Sequence, residues 1–191
     1  EPSWQFLEVL MTSAITLISH EGAQFASPYG EGMIRFGDSP EQVVAVLGEP
    51  ENHRSESTLY YSQSNIQVHF GDNGVEFIET ATNPEKDGVT VEWEGHNLSH
   101  MNAIECAELL KGLNDGARLD DDRAPEAYAF EKLGLTVWQP YALADAREEL
   151  EEARAGGAEG DELEYFEEEV RMAECFDAIG LGSRDYMNEY F

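Results

Sequence analysis

The sequence predicts an α+β fold in which two tandem units, each a helix followed by antiparallel strands, pair into one sheet with helices on one side. Two observations lead to this prediction. A clearly signalled short helix near residue 40 is followed by segments that alternate apolar and polar residues, and a looser copy of this order follows residue 98. The chain has 191 residues, 41% of them hydrophobic and 10% aromatic, which is typical of a globular protein. We therefore expect a single domain over residues 1–191.

The helix of the first unit begins on a consistent set of local signals. Ser39 is a favourable N-cap, Pro40 suits the first helical position, and Glu41 places an acid in the first turn. A stripe of valines and one leucine follows, and Gly48 before Pro50 ends the helix. These signals predict a short helix between residues 39 and 48.

Strand-like segments surround this helix in the first unit, which we place at residues 12–97. Residues 12–36 mix short apolar groups with proline and glycine, which indicates one or two strands and a loop. After the helix, alternation or β-branched and aromatic composition predicts an antiparallel meander. Its segments are residues 58–62, residues 66–70, a turn at 71–74, residues 75–78 and residues 89–93.

The second unit, residues 98–191, repeats the order less clearly. Residues 98–113 have a helical pattern with Ser99 as the N-cap, and Tyr128 to Trp138 indicate two short strands or one bent strand. A strand resumes near residues 176–181. Two segments match in spacing, which favours a duplicated unit. They are Tyr61-x4-Ile66-x-Val68-x-Phe70 and Tyr128-x4-Leu133-x-Leu135-x-Val137.

An acidic insertion interrupts the second unit over residues 144–173. Residues 144–155 and 161–173 are good helix formers separated by glycines. Thirteen acidic residues face three arginines between Asp145 and Glu174. We interpret this segment as an acidic helical hairpin inserted at the sheet edge.

The net charge of −29 restricts the class of partner. Forty acidic side chains face eleven basic ones, an imbalance that repels nucleic-acid phosphates and anionic membranes. We therefore expect no direct binding to nucleic acid and none to membranes. Three interpretations of the charge stay open: solubility, which includes adaptation to a saline cytoplasm, steering toward a basic protein, and mimicry of a phosphate backbone.

The motif Gly37-x-Ser39-Pro40-Glu41-Gln42-Val43-x3-Leu47-Gly48-Glu49-Pro50, followed by an antiparallel sheet, resembles that of β-lactamase inhibitory proteins. The small outer-membrane assembly lipoproteins share this motif and α+β fold. The segment Asn65 to Glu79 is similar to intracellular immunity proteins of bacterial toxin systems. The resemblance covers residues 33–81 most firmly. It implies a fold that presents a sheet face to a protein partner, and it carries over no catalytic residue.

The chain departs from the exported members of these groups. Residues 1–10 have no basic region or long apolar run, and no stretch approaches the roughly 18 apolar residues that span a bilayer. Cys106 and Cys175 are too few for a disulfide framework, so we expect buried free thiols. A cytoplasmic location follows as an expectation, and β-lactamase inhibition and membrane assembly become less favoured.

No residue pattern predicts catalysis, a cofactor or a metal site. His96-x3-His100 has the spacing of two ligands on a helix, but the residues between them look like a loop and a cap. The run Asp120–Asp122 lacks the alternation and central glycine of a calcium loop. Serines and cysteines lack a nucleophile motif. We expect that the protein is not an enzyme, and an enzyme of unknown class is kept as one alternative.

The candidate binding residues fall into two groups, strand aromatics and acids of the helical hairpin. Tyr60, His69 and Trp138 would anchor a partner if the sheet has a free face. The acidic group would steer a basic partner and comprises Glu148, Glu151, Glu152, Glu164, Glu167 and Glu168. The sequence thus favours an immunity or inhibitor protein that blocks a basic toxin or enzyme, with an acidic DNA mimic as the main binding alternative.

Overall fold

The computed structural model describes residues 14–27, 30–50, 52–55, 57–61, 65–82 and 90–191. The strands are β1 (Ala14–Ile18), β2 (Gly22–Ser27), β3 (Gly30–Arg35), β4 (Asn52–Ser55), β5 (Thr58–Tyr61), β6 (Ile66–Gly71), β7 (Gly74–Ala81), β8 (Thr90–Trp93), β9 (His96–Asn97), β10 (Leu119–Asp120), β11 (Ala127–Phe130), β12 (Leu135–Trp138) and β13 (Ala178–Gly182). The helices are α1 (Pro40–Leu47), α2 (Ala103–Asn114), α3 (Leu143–Gly156), α4 (Asp161–Met172) and α5 (Arg184–Tyr190), with a 3-10 helix at Leu98–His100. The α+β class is confirmed.

The strands form two sheets, which corrects the prediction of a single sheet. The smaller sheet has the order β3-β2-β1-β8-β9, and the larger has the order β10-β11-β12-β13-β7-β6-β5-β4. Strand β8 leaves the predicted meander and runs parallel to β1, with Ile15 opposite Val91. The alternation of residues 89–93 correctly predicted a strand. It could not identify the neighbouring strand, because alternation is compatible with both parallel and antiparallel pairing.

Strand β13 joins the two halves of the larger sheet. It pairs antiparallel with β12 on one side and with β7 on the other, where Leu181 lies opposite Ile78. Strands of both predicted units therefore share this sheet. Tandem duplication itself remains a prediction. In the two matched segments the hairpin registers differ, since Tyr61 pairs with Ile66 whereas Tyr128 pairs with Val137.

One core cluster of buried side chains includes residues of both sheets and α2. Leu17 and Trp93 enter it from the smaller sheet, Val68 and Leu181 from the larger sheet, and Leu110 from α2. Burial of such side chains stabilises each by about 1.5–3 kcal/mol relative to exposure. This cluster fixes which face of the larger sheet is turned inward.

Helix α1 forms where the sequence predicts it. Ser39 and Gln42 make a reciprocal capping box, in which the Ser39 backbone N–H donates to Gln42 Oε1 at 2.8 Å. At the other end, Gly48 adopts a φ of 83° that favours glycine, and its carbonyl accepts a hydrogen bond from the Tyr61 hydroxyl at 3.1 Å. The helix is thereby attached to β5.

The second predicted helix begins later than the sequence indicated. Residues Leu98–His100 form a 3-10 helix, and α2 begins after Asn102, whose side chain accepts from the Ile104 N–H at 3.1 Å. Ser99 is not the N-cap of α2. Its hydroxyl is buried and accepts from the Val91 N–H at 3.0 Å, so this side chain joins the 3-10 helix to β8.

The two acidic helices α3 and α4 agree with the predicted helical segments within one residue at each end. They pack against each other between β12 and β13 in the chain, and Arg154 of α3 pairs with Glu167 of α4 at 3.1 Å. A small cluster at their base buries Leu143, Ala146 and Ala173. Whether this pair is an insertion into a repeated unit remains a prediction.

Helix α5 was not predicted, and it contradicts the placement of all helices on one side. Ser183 caps it by accepting from the Tyr186 N–H at 3.1 Å. The face of β13 that carries Gly182 accepts α5, whereas α2 buries Leu110 in the core on the other side. The reason is local: glycine at the outward positions of β13 leaves room for a helix to approach.

Candidate protein-binding face

The larger sheet has a core face and an outer face of different composition. Cross-strand register assigns each residue, because directly opposed residues point to the same side. The core face carries the buried residues Leu59, Tyr61, Ile66, Val68, Ile78, Thr80, Tyr128, Phe130, Leu135, Val137, Ile179 and Leu181. The outer face carries Thr58, Tyr60, Gln67, His69, Phe77, Glu79, Ala127, Thr136, Trp138, Ala178, Gly180 and Gly182.

The three aromatic anchors predicted from the sequence all lie on this outer face. Tyr60 and His69 are half-buried, while Trp138 is 39% exposed. Burial lowers the pKa of His69, so its ring stays neutral at neutral pH. Its Nδ1 lies 3.4 Å from the Thr58 hydroxyl. Tyr60, His69 and Trp138 occupy outward positions on β5, β6 and β12, and their role as binding anchors stays a prediction.

Helix α5 covers one part of the outer face and leaves clefts on either side. A Cβ atom built on Gly182 would lie 2.8 Å from both Met187 Sδ and Tyr186 Cδ1, so α5 rests directly on the β13 backbone. Tyr186 stacks on Phe77 with ring centroids 4.8 Å apart. Phe77 in turn occupies the space above Gly180, where an added Cβ would overlap the Phe77 ring. Two clefts result.

The first, which we name the Trp138 cleft, has a volume of about 550 Å³. Small side chains form its floor: Ala178, Thr136 and Ala127 from three adjacent strands. Most of the remaining lining is aromatic or charged. These wall residues include Phe77, Glu79, Asp120, Asp122, Arg123, Trp138, Tyr186 and Tyr190.

Hydrogen bonds fix one carboxylate of the Trp138 cleft. The Tyr190 hydroxyl donates to Asp120 Oδ2 at 2.9 Å, and the Asp122 N–H donates to Asp120 Oδ1 at 3.1 Å. Burial and this neighbouring carboxylate raise the pKa of Tyr190 to about 12, which keeps the phenol protonated as a donor. Asp120 was interpreted from the sequence as part of a solvated loop. No sequence signal could place it here, because the cleft exists only once α5 is docked.

The second cleft, which we name the hairpin cleft, lies on the side of α5 toward the β6–β7 turn. Its volume is about 510 Å³, and Phe36 and Tyr186 are its aromatic walls. Four carboxylates line it: Asp72, Glu76, Asp185 and Glu189. Among the described residues that line the two clefts, Arg123 is the one cationic side chain. Both clefts therefore offer negative charge beside aromatic rings.

The six predicted steering acids lie on α3 and α4, at the chain connections that follow Trp138 and precede Ala178. Glu151 and Glu167 both pair with Arg154 at 3.1 Å, and Glu168 pairs with Arg171. Glu148, Glu152 and Glu164 are exposed. The structure thus divides this group: three of the acids have arginine partners, and three extend from the helices toward solvent.

The histidines and cysteines considered from the sequence form no metal site among the described residues. His96 lies on β9 and His100 ends the 3-10 helix, so they share no helical face. Within the described residues, no group of three or more histidines, cysteines or acids is placed to hold a metal ion. Cys106 and Cys175 are both buried and free, as expected.

The described helices include none that is long and apolar enough to cross a membrane. No protein-family model, curated protein or solved structure matches the chain. Resemblance to immunity and inhibitor proteins therefore stays a prediction. The fold and the site define a mixed α+β protein whose larger sheet has an outer face with aromatic and acidic residues.

Proposed function

We propose that this protein is a non-enzymatic binding protein of the cytoplasm, of the immunity or inhibitor type, which uses the outer sheet face to occlude a basic protein partner. The observation on which this rests is the pair of clefts beside α5. Each combines aromatic walls with carboxylates, the combination that receives lysine and arginine side chains.

Charge supports a basic partner over a neutral one. The Trp138 cleft has three carboxylates against Arg123, and the four carboxylates of the hairpin cleft have no cation beside them among its described lining residues. The chain as a whole carries −29, so its field accelerates the approach of a cationic protein at low salt. Salt screens this attraction over about 8 Å at physiological ionic strength.

The acidic helices would contribute to the encounter more than to the final affinity. Exposed carboxylates such as Glu148, Glu152 and Glu164 remain hydrated, and exposed ion pairs contribute about 0–1 kcal/mol each. Trp138 is different because it lies on the rigid sheet and presents a large aromatic surface. Side chains of this type dominate the binding energy of protein interfaces. Occlusion would therefore centre on the sheet, with the helices guiding the partner.

Three forms of the tagged full chain would test this proposal in the native host: the unmodified chain, Trp138→Ala and Tyr165→Ala. Tyr165 is a matched control, since it is an aromatic residue 58% exposed that lies on α4 and not on a strand of the outer face. We expect one stoichiometric basic protein to be retained by the unmodified chain and by Tyr165→Ala, to be lost from Trp138→Ala, and to dissociate as salt rises.

Two results would contradict the proposal. Equal capture by Trp138→Ala would remove the outer face as the interface. A captured protein that is displaced by duplex DNA in competition would instead favour the DNA-mimic alternative, in which the acids of α3 and α4 substitute for phosphates. That alternative predicts that charge reversal in α3 and α4 abolishes capture and that Trp138→Ala leaves capture unchanged.

A further inference from the structure

We propose that the Trp138 cleft is a pocket for a single arginine side chain. This inference rests on the proposed function, because it specifies which group of the basic partner enters the outer face. It depends on three features of the cleft: an open indole face, an oriented carboxylate, and a floor without large side chains.

The indole of Trp138 is open because its strand neighbours are small. On either side across the sheet, Trp138 lies opposite Ala178 and Ala127, which end at Cβ. Their methyl groups cannot cover the ring, and Trp138 remains 39% exposed although it is in the interior of the sheet. A planar cation can therefore stack on the ring face, where the quadrupole of the indole attracts it.

The carboxylate of Asp120 is held in a fixed orientation for such a cation. Its two oxygens each accept one hydrogen bond, from the Tyr190 hydroxyl and from the Asp122 N–H. A carboxylate offers about four acceptor positions, so the remaining positions can accept from a guanidinium. Because the anchoring bonds are already made in the free protein, little side-chain entropy is lost on binding. A second carboxylate in the lining is Glu79, whose Oε1 accepts a hydrogen bond from Gln67 Nε2 at 3.3 Å.

These features fit guanidinium better than ammonium. Arginine is planar, stacks on aromatic rings, is weakly hydrated, and donates two parallel hydrogen bonds to one carboxylate. Lysine is a compact and strongly hydrated charge that cannot stack flat on the ring and lacks the fork geometry. The cleft volume of about 550 Å³ leaves ample room for the longer side chain.

Arg123 gives the inference a distinctive consequence. It lines the same cleft and lies near enough to Tyr190 to oppose the rise in that pKa. An entering arginine is repelled by this resident cation. Replacement of Arg123 by glutamine should therefore strengthen binding, whereas Asp120→Asn should weaken it.

The test is a nuclear magnetic resonance titration of the isotopically labelled full chain with the peptide acetyl-Gly-Gly-Arg-Gly-Gly-amide. Two control peptides carry citrulline, which keeps the planar shape without the charge, or lysine. We expect the arginine peptide to shift the Trp138 indole resonance saturably and to bind about fivefold more tightly than either control. Asp120→Asn should weaken binding by about fivefold, Arg123→Gln should strengthen it, and the distant Glu92→Gln should leave it unchanged.

The outcomes separate this inference from the proposed function. Equal binding of the citrulline peptide, or shifts confined to α3 and α4, would overturn the arginine pocket. If partner capture still depends on Trp138 in that case, the proposed function stands and only the ligand assignment fails. Loss of both the peptide shifts and the Trp138-dependent capture would overturn both.

Discussion

Two threonines with opposite hydrogen-bonding states provide a direct test of the core. Thr80 lies on the core face of β7 between Ile66 and Ile179 and is 1% exposed, and its hydroxyl has no hydrogen-bond partner among the described residues. Thr82 is 2% exposed, but its hydroxyl donates to the Phe176 carbonyl. The same substitution, threonine to valine, should therefore have opposite effects at the two positions.

The magnitudes follow from burial and hydrogen bonding. A buried hydroxyl without a partner costs about 1–3 kcal/mol, and valine has nearly the same shape and a good strand propensity. Thr80→Val should raise the free energy of unfolding by about 1 kcal/mol, which corresponds to about 2–4 °C in Tm for a chain of this size. Thr82→Val removes a donor from a buried carbonyl and should lower the free energy of unfolding by about 1 kcal/mol.

Urea unfolding followed by far-ultraviolet circular dichroism would measure both changes. The slope with urea should be equal in all three chains, since neither substitution changes the surface exposed on unfolding. Destabilisation by Thr80→Val, or shifts of the same sign at both positions, would refute the assignment of an unpaired hydroxyl at Thr80.

Three further outcomes are expected. Gly182→Ala should destabilise the fold by about 1–3 kcal/mol, because the new methyl group presses on α5. Gly112→Ala, in open space on α2, should stabilise the fold by up to about 1 kcal/mol, and thermal melts would show this contrast. Burial raises the pKa of Asp177 in the folded chain, so the unfolded chain releases this proton at lower pH and the free energy of unfolding falls as pH rises. Asp177→Asn should therefore stabilise the fold at pH 7, and this gain should vanish below about pH 4. Equal gains at pH 7 and below pH 4 in urea melts would contradict this. Burial raises the pKa of Cys106 to about 12, and Cys175 is also buried. Ellman's reagent at pH 8 should therefore label neither thiol until denaturant is added. Rapid labelling of the native chain would argue against burial of the thiols.

Local signals predicted local structure well. The cap at Ser39 and the alternation of residues 66–70 gave α1 and β6 their type and approximate bounds, because these patterns depend on neighbouring residues alone. Partner choice between strands was a different problem. The pairing of β8 with β1 depends on contacts about 75 residues apart in the chain, and no pattern within 89–93 encodes that choice.

The candidate site also divides into features that local patterns predicted and features that depend on distant residues. Tyr60, His69 and Trp138, named from the sequence as anchors on a free sheet face, lie at outward positions in the structure, and their role in binding stays a prediction. The clefts were missed because they require α5, a seven-residue helix whose only clear signal was the cap at Ser183. Asp120 consequently looked like part of a solvated run. Its partner Tyr190 is 70 residues away in sequence, a separation that no local pattern spans.

The central position of β13 has a consequence for synthesis of the chain. Its neighbours β12 and β7 are made about 40 and 100 residues earlier, so the larger sheet remains two separate pieces until residues 178–182 leave the ribosome. Until then, β7 and β12 are edge strands able to pair with other chains. Residues 184–190, which form α5 and complete both clefts, emerge later still. A nascent chain therefore covers these strand edges and completes both clefts at nearly the same stage, once residues 178–190 have emerged.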